Sequence, residues 1–179
     1  MELQKEFSGL RVVLSEKNSS LLQQETIDGT VDFSILNLPV DEALLDVIPL
    51  DFESVVLVVP DKYKDRVVTL KGKNGVYPTV NLESLSSVPF IALSSTQELR
   101  ILFDKICEAN GFVPNITTQV TGITTAYSLA LAGVGATILP TKFAQGNLKN
   151  IKDKNMGVYT IKNTSCLRQP AIVFKKGRY

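Results

Sequence analysis

The sequence predicts an α/β protein built from two small lobes. Strand-like and helix-like segments alternate through two blocks, roughly residues 1–60 and 78–165, and such alternation is typical of sheets with mostly parallel strands. The chain has 179 residues, which is enough for one domain or for two small lobes. Hydrophobic residues make up 44% and charged residues 21%, a composition typical of a folded globular chain rather than a disordered one.

The first block is predicted to contain two strands and a helix. The apolar spacing over residues 2–7 indicates the end of an amphipathic helix. A β-branched run over residues 10–16 predicts a strand. Ser19 and Ser20 offer an N-cap, and Gln23 follows Ser20 at the spacing of a capping box, so a short helix is expected to begin there and to stop at Gly29. Apolar and polar residues then alternate from 31 to 36, which indicates the second strand.

The middle of the chain contains one apolar strand and a weakly patterned stretch. Residues 54–59 are nearly continuous Val and Leu, as expected of a strand that is covered on both faces. Residues 61–81 carry many charges and an exposed turn at 71–75. We interpret this stretch as the passage from one lobe to the next.

The second block contains the clearest helix of the sequence. Ser95 and Glu98 match a capping box, and Asn110 and Gly111 provide a helix end. Between them runs an apolar stripe at helical spacing, formed by Leu99, Leu102, Phe103 and Ile106. The other predicted elements of this block and the tail are strands over 89–93, 115–120, 136–139, 157–161 and 170–174, and a small-residue helix over 122–132 ended by Gly133.

Several function classes are disfavoured by composition. The chain has no histidine, which excludes a Ser-His-Asp or Cys-His hydrolase and a His-ligated metal site within it. Its net charge of +1 argues against a dedicated nucleic-acid module. Cys107 and Cys166 have no CxxC spacing and are expected to be reduced, buried thiols. Without a signal-like start or an apolar run long enough to span a membrane, we expect a cytoplasmic protein.

Two clusters of hydroxyl side chains are the strongest candidates for a binding site. Ser94–Thr96 and Thr121–Thr125 each lie where a predicted strand hands over to a helix N-terminus. Free N–H groups there attract carboxylates and other anions, and ligands of open α/β sheets bind at the carboxyl ends of strands. Plain helix capping explains the hydroxyls equally well.

Gly133-Val134-Gly135 is a helix-to-strand turn rather than a dinucleotide loop, because the third glycine is missing.

Six segments, taken in order, follow the pattern of a known family. They are Glu6–Glu16, Gly29–Ile35, Leu57–Pro60, Leu82–Leu85, Pro89–Ile91 and Ala132–Pro140. None is specific alone, but in this order and at this spacing they resemble the effector-binding domain of LysR-type bacterial transcriptional regulators. The resemblance implies the fold of type 2 periplasmic binding proteins, with two α/β lobes, two crossing strands and a ligand cleft between the lobes. It places lobe one at 1–60, lobe two at 61–168 and the returning strand at 169–179.

The resemblance also implies a function. The domain is expected to sense a small, often anionic metabolite by lobe closure, to form a homodimer, and to control DNA through a separate helix-turn-helix domain. It implies no enzyme activity, cofactor, metal or membrane contact. Carried over by motif, the expected effector-binding residues are Asn37, Pro39, Ser94, Ser95, Thr96, Gly122, Ile123 and Thr124.

The chain departs from the family pattern at its start, and one alternative stays open. The family's effector domain begins with a strand and a Ser/Thr-bearing turn, and neither is found before residue 10, so lobe one is expected to lack its first strand. The alternative function is a solute-binding protein of a transport system with the same fold. An enzyme on this fold is disfavoured, because the carboxylates are scattered and histidine is absent.

Overall fold

The computed structural model describes residues 5–70, 76–147, 155–162 and 167–178. Its helices are α1 (Ser19–Asp28), α2 (Glu98–Ala109), α3 (Ile123–Leu131), α4 (Thr141–Asn147) and the 3-10 helices Asp61–Arg66 and Leu82–Leu85. Its strands are β1 (Ser34–Asn37), β2 (Leu45–Pro49), β3 (Glu53–Pro60), β4 (Thr69–Leu70), β5 (Thr79–Val80), β6 (Pro89–Leu93), β7 (Asn115–Val120), β8 (Thr137–Pro140), β9 (Met156–Ile161), β10 (Leu167–Arg168) and β11 (Pro170–Lys175). Residues 2–4 of the predicted first helix, the predicted turn at 71–75 and Cys166 lie outside the described residues.

The first sheet is antiparallel and has β11 at its centre, in the order β1-β11-β2. Helix α1 covers one face of it, where Leu22 and Ile27 pack against a small cluster of buried side chains. That cluster consists of Leu36, Leu45, Ala171 and Val173.

The N-cap of helix α1 lies two residues before the predicted capping residue Ser20. Asn18 is the N-cap, and its Oδ1 accepts a hydrogen bond from the Leu21 N–H at 2.9 Å. Ser20 therefore lies inside the first turn, and its predicted capping role is wrong because Asn18, an equally good cap, precedes it. The predicted end is confirmed: Gly29 adopts a left-handed φ of 76°.

Residues 33–36 show the predicted alternation, but the apolar residues Phe33 and Ile35 face outward. Ser34 and Leu36 are buried, whereas Phe33 and Ile35 are 59% and 61% exposed. The Ser34 hydroxyl satisfies its inward position by a 2.7 Å hydrogen bond with the hydroxyl of Thr26 on α1. The inward face of this short strand is therefore partly polar.

The predicted strand over residues 10–16 is wrong. These residues have no regular secondary structure, and Val13 and Leu14 are 76% and 86% exposed. None of the described strands pairs with this segment. Without a neighbouring ladder, β-branched composition alone does not produce a strand.

The second sheet is centred on β3. This strand pairs antiparallel with both β8 and β9, and β9 continues the sheet through the parallel partner β5 to β4. Residues Val55–Pro60 are all buried, which confirms the prediction of a strand covered on both faces. Strands β6 and β7 are parallel, and a bridge from Phe90 to Ala136 brings β6 beside β8.

The turn that leads into β8 needs a glycine. A Cβ atom on Gly135 would lie 2.4 Å from the Pro89 carbonyl oxygen, a clash with backbone that cannot move aside. Gly133, just before it, has a φ of +82° at the end of α3. The predicted helix-to-strand turn is therefore confirmed.

Two expectations about the sheets change. The strands are not mostly parallel: among the described pairs, β5·β9 and β6·β7 are parallel and the others are antiparallel, because β3 and β11 run against their neighbours.

Strand β3 falls within the predicted lobe one, 1–60, yet its partners belong to the second sheet. The lobe limits stay a prediction, and this pairing favours a division near residue 50.

Candidate functional site

A cavity of about 170 Å³ opens between the first sheet and the start of α2. The cavity is open to solvent on one side and is lined mainly by polar surface. Its walls come from the first turns of α1, the end of β1 with the loop after it, and the first residue of α2. The lining residues are Ser19, Ser20, Gln23, Leu36, Asn37, Pro39, Val40 and Glu98.

Asn37 presents an unsatisfied acceptor at this cavity. It is the last residue of β1, and its backbone is fixed by the pairing of Asn37 with Pro170 and by the Leu38 N–H, which donates to the Gln169 carbonyl at 2.9 Å. Its side-chain Oδ1 is buried and has no hydrogen-bond partner in the part of the chain that the structure describes. A buried acceptor left unpaired costs about 1–3 kcal/mol, which a ligand carrying a donor would recover.

Helix α1 supplies donors on the opposite wall. The first turn of a helix leaves backbone N–H groups without intrahelical partners, and here the Asn18 side chain takes only that of Leu21. Ser19 and Ser20 add hydroxyl groups at the same end. The Gln23 Oε1 accepts from the Asp41 N–H at 3.2 Å, which orients the Gln23 amide beside the cavity.

Glu98 reaches the cavity because α2 starts later than predicted. Gln97 is the N-cap and makes no side-chain capping bond, whereas Ser95 lies in the turn before it. That turn is closed by the Gln97 N–H, which donates to the Ser94 carbonyl at 2.9 Å. The predicted capping box of Ser95 and Glu98 is therefore wrong. Glu98, a half-buried residue, lines the cavity and has no ion-pair partner among the described residues.

The two hydroxyl clusters lie together at the ends of β6 and β7, as parallel strands require. The Ser94 N–H donates to the Val120 carbonyl at 2.8 Å, and the Gln97 Nε2 donates to the Thr121 carbonyl at 3.4 Å. None of Ser94, Ser95, Thr96, Gly122, Ile123 and Thr124 lines the cavity. Ser95, Thr96 and Thr124 are exposed, Gly122 is the N-cap of α3, and Ile123 packs against the core.

The cavity therefore shares Asn37 and Pro39 with the predicted site and adds residues that sequence reasoning missed. Ser20 and Glu98 were both interpreted as helix-capping groups, which hid their place at a cavity. A capping signal marks a helix start, and a helix start in this fold is also where ligands bind. That residues from the starts of α1 and α2 line one cavity is visible only once the chain is folded.

The titratable groups with shifted pKa values lie away from the cavity. Burial, together with the nearby Asp104 carboxylate, raises the pKa of the Cys107 thiol to about 12. Burial raises the pKa of Tyr159 as well. The expected burial of Cys107 is confirmed. Across the described ranges, no cluster of three or more acidic or cysteine side chains is arranged to hold a metal ion.

Within the described part of the chain, no helix combines the length and apolar character needed to cross a membrane.

The sequence matches the family described as the LysR substrate binding domain over residues 1–154. The regulator YcgK of Bacillus subtilis, an HTH-type transcriptional regulator, is 33% identical over 95% of this chain and 53% of its own length. The HTH-type regulator AlsR of the same organism is 29% identical over 78% of this chain and 44% of its own. The chain thus spans about half the length of these curated relatives.

Solved regulatory domains show the same fold. The regulatory domain of CcmR from Synechocystis, in complex with 2-PG, superposes with a TM-score of 0.76 at 15% identity, covering 99% of this chain and 80% of that one. The effector-binding domain of QuiR, in complex with shikimate, gives a TM-score of 0.71 at 19% identity, covering 99% and 79%. At such identities the likeness establishes the two-lobed architecture alone.

Proposed function

Because this chain belongs to the LysR substrate-binding domain family, we propose that it binds a small-molecule effector in the cavity at Asn37. The observation that carries the proposal is the buried Asn37 Oδ1, which has no partner among the described residues and borders a cavity of about 170 Å³. A folded chain rarely leaves a buried acceptor unpaired, and a bound donor would complete it.

The proposed mechanism is a shift between open and closed arrangements of the two lobes. Ser19 and Ser20 of helix α1 and Asn37 of strand β1 line one side of the cavity, and Glu98 lines it from the second block. A ligand that contacts both sides binds the closed arrangement better and so increases its population. In that arrangement we place the hydroxyls of Ser95, Thr96 and Thr124 next to the ligand as well.

The effector signal is proposed to reach DNA through a different part of the protein. The named relatives are HTH-type transcriptional regulators and the named structures are regulatory or effector-binding domains, which favours sensing over transport or catalysis. We therefore propose a homodimer in the cytoplasm whose DNA contacts come from a separate helix-turn-helix domain. No cofactor enters this mechanism.

The test is a thermal-shift screen of the chain against organic acids, amino acids, polyols and inorganic oxyanions. A ligand at about one hundred times its dissociation constant adds roughly 2.7 kcal/mol to the free energy of unfolding, or several degrees in Tm. We expect Ser20→Phe, which places a ring in the cavity, to abolish the shift. Gln24→Phe is the matched control, because Gln24 lies on the same helix but does not line the cavity.

A shift that survives Ser20→Phe unchanged would contradict the proposed location. Ser95→Ala and Thr124→Val then test the hydroxyl clusters separately. If these residues touch the ligand only after closure, each substitution weakens binding without changing the Tm of the ligand-free protein, since both side chains are exposed.

A further inference from the structure

We infer that the effector has no net charge and donates hydrogen bonds through a hydroxyl or ammonium group, as a small polyol or a zwitterionic amino acid does. The inference rests on the proposed binding cavity and narrows its ligand. It departs from the small anion that the hydroxyl clusters suggest.

The first step concerns the acceptors at the cavity. Within the described residues, the buried Asn37 Oδ1 is unpaired, and the carboxylate of the half-buried residue Glu98 has no hydrogen bond or ion pair. Both groups accept hydrogen bonds and neither donates through these atoms. A carboxylate or phosphate placed against them would meet repulsion, whereas a hydroxyl or ammonium group satisfies both.

The second step concerns the cations. No Lys or Arg is among the described residues that line the cavity. Arg100, two residues after Glu98, is held elsewhere: its Nε donates to Asp104 at 2.9 Å, and its guanidinium also donates to the Leu93 carbonyl at 3.1 Å. The described lining thus provides no guanidinium or ammonium group to clamp an anionic ligand.

The third step sums the charge around the cavity. A helix N-terminus is equivalent to roughly half a positive charge, and α1 and α2 both begin here. The Glu98 carboxylate supplies one negative charge, so the total lies near zero. Such a site favours a ligand whose own charges sum to zero, with any carboxylate at the α1 start and any ammonium at Glu98.

The experiment uses pairs of probes that match in size and differ in charge. L-Asparagine is compared with L-malate, and erythritol with succinate, by thermal shift and titration calorimetry on the chain. We expect the uncharged and zwitterionic probes to raise Tm and the dianions to leave it unchanged. Glu98→Gln should weaken binding of the neutral probes about tenfold or more, the usual effect of losing a charge-assisted hydrogen bond, and should admit the dianions.

One control and one further test variant separate the roles of the residues. Glu83→Gln removes an exposed carboxylate of the 3-10 helix Leu82–Leu85, away from the cavity, and should change nothing. Asn37→Leu retains the side-chain volume and removes the acceptor, and should reduce binding of the neutral probes while the ligand-free Tm stays within a few degrees.

The remaining outcomes decide against the inference in different ways. If a dianion stabilises the chain more than its neutral partner, and Ser20→Phe abolishes that effect, the cavity binds an effector but this charge assignment is overturned. If Glu98→Gln leaves the affinity for neutral probes unchanged, the assignment is also overturned. If neither class shifts Tm in the original chain or in Glu98→Gln, the proposed function fails together with it.

Discussion

The two sheets of this protein differ in how completely their apolar side chains are covered. Among the described residues, 27 buried hydrophobic side chains around β3 of the second sheet form one continuous core, with helices packed against it. The first sheet has four such described residues, all on the face that α1 covers. Its other face carries Ile35 and Ile48, both about half or more exposed, on either side of Ile172. The second sheet therefore provides most of the folding free energy, and the first provides one wall of the cavity.

The largest expected effect comes from the second core. Phe90 is fully buried and its ring lies 5.6 Å from those of both Phe103 and Phe112. Phe90→Ala should lower the free energy of unfolding by about 3–5 kcal/mol, through lost burial and the remaining cavity. Urea denaturation measures the change, and Phe52→Ala is the control because Phe52 is exposed. Equal effects of the two substitutions would contradict the contrast between the sheets.

Cys107 reports on the same core through its chemistry. Burial and Asp104 raise the pKa of its thiol from 9.0 to about 12, so at pH 8 the folded protein holds about a thousandfold less thiolate there than the unfolded chain does. In a Cys166→Ser variant, iodoacetamide should alkylate Cys107 about a thousandfold more slowly in the folded protein than in the protein unfolded by urea. Because the pKa of Cys107 is higher in the folded state, keeping this thiol protonated favours folding. The free energy of unfolding is therefore unaffected by the thiol below pH 9 and decreases as the pH rises above 9.

Rapid alkylation of native Cys107 would show that the second core opens easily. That result would contradict the greater stability assigned to the second sheet, since Cys107 belongs to its large core cluster.

A smaller effect is expected where β3 begins, next to the tail that returns to the first sheet. Glu53, almost fully buried, pairs with Arg168 at 2.7 Å and also accepts from the Lys142 N–H at 3.3 Å. Removing either partner should cost about 2 kcal/mol, less than for a fully buried pair because Arg168 is partly exposed. A double-mutant cycle with Glu53→Gln and Arg168→Met measures the coupling. Additive effects would show that the pair does not fix this strand end.

The sequence predicted the second block well, because its signals are local. The apolar stripe of α2 is confirmed, with Leu99, Phe103 and Ile106 buried, and so is the turn at Gly133. The failures at residues 10–16 and at β1 share one physical cause: both needed information about neighbouring elements. The capping predictions at Ser20 and Ser95 failed locally, because Asn18 and Gln97 are the N-caps. A strand over residues 10–16 requires a partner that none of the described strands provides, and the outward face of β1 depends on the contact of Ser34 with Thr26.

The candidate site was predictable in part for the same reason. Asn37 and Pro39 follow a strand, so their place at a cleft edge is a local inference. Glu98 and Ser20 have two local interpretations, a cap or a cavity wall. The sequence favoured the cap because it could not show that the starts of α1 and α2 face each other.

The smallest effect is expected on the open face of the first sheet. Ile48 on β2 is half-exposed, so Ile48→Ser should change the free energy of unfolding by no more than about 0.5 kcal/mol. Urea denaturation at two protein concentrations measures the change in the free energy of unfolding and shows whether it depends on association between copies. A loss above about 1 kcal/mol that grows with protein concentration would mean that a second copy covers this face, because association stabilises the folded state by mass action. The poorly covered sheet would then owe its stability to the partner rather than to its own four-residue cluster.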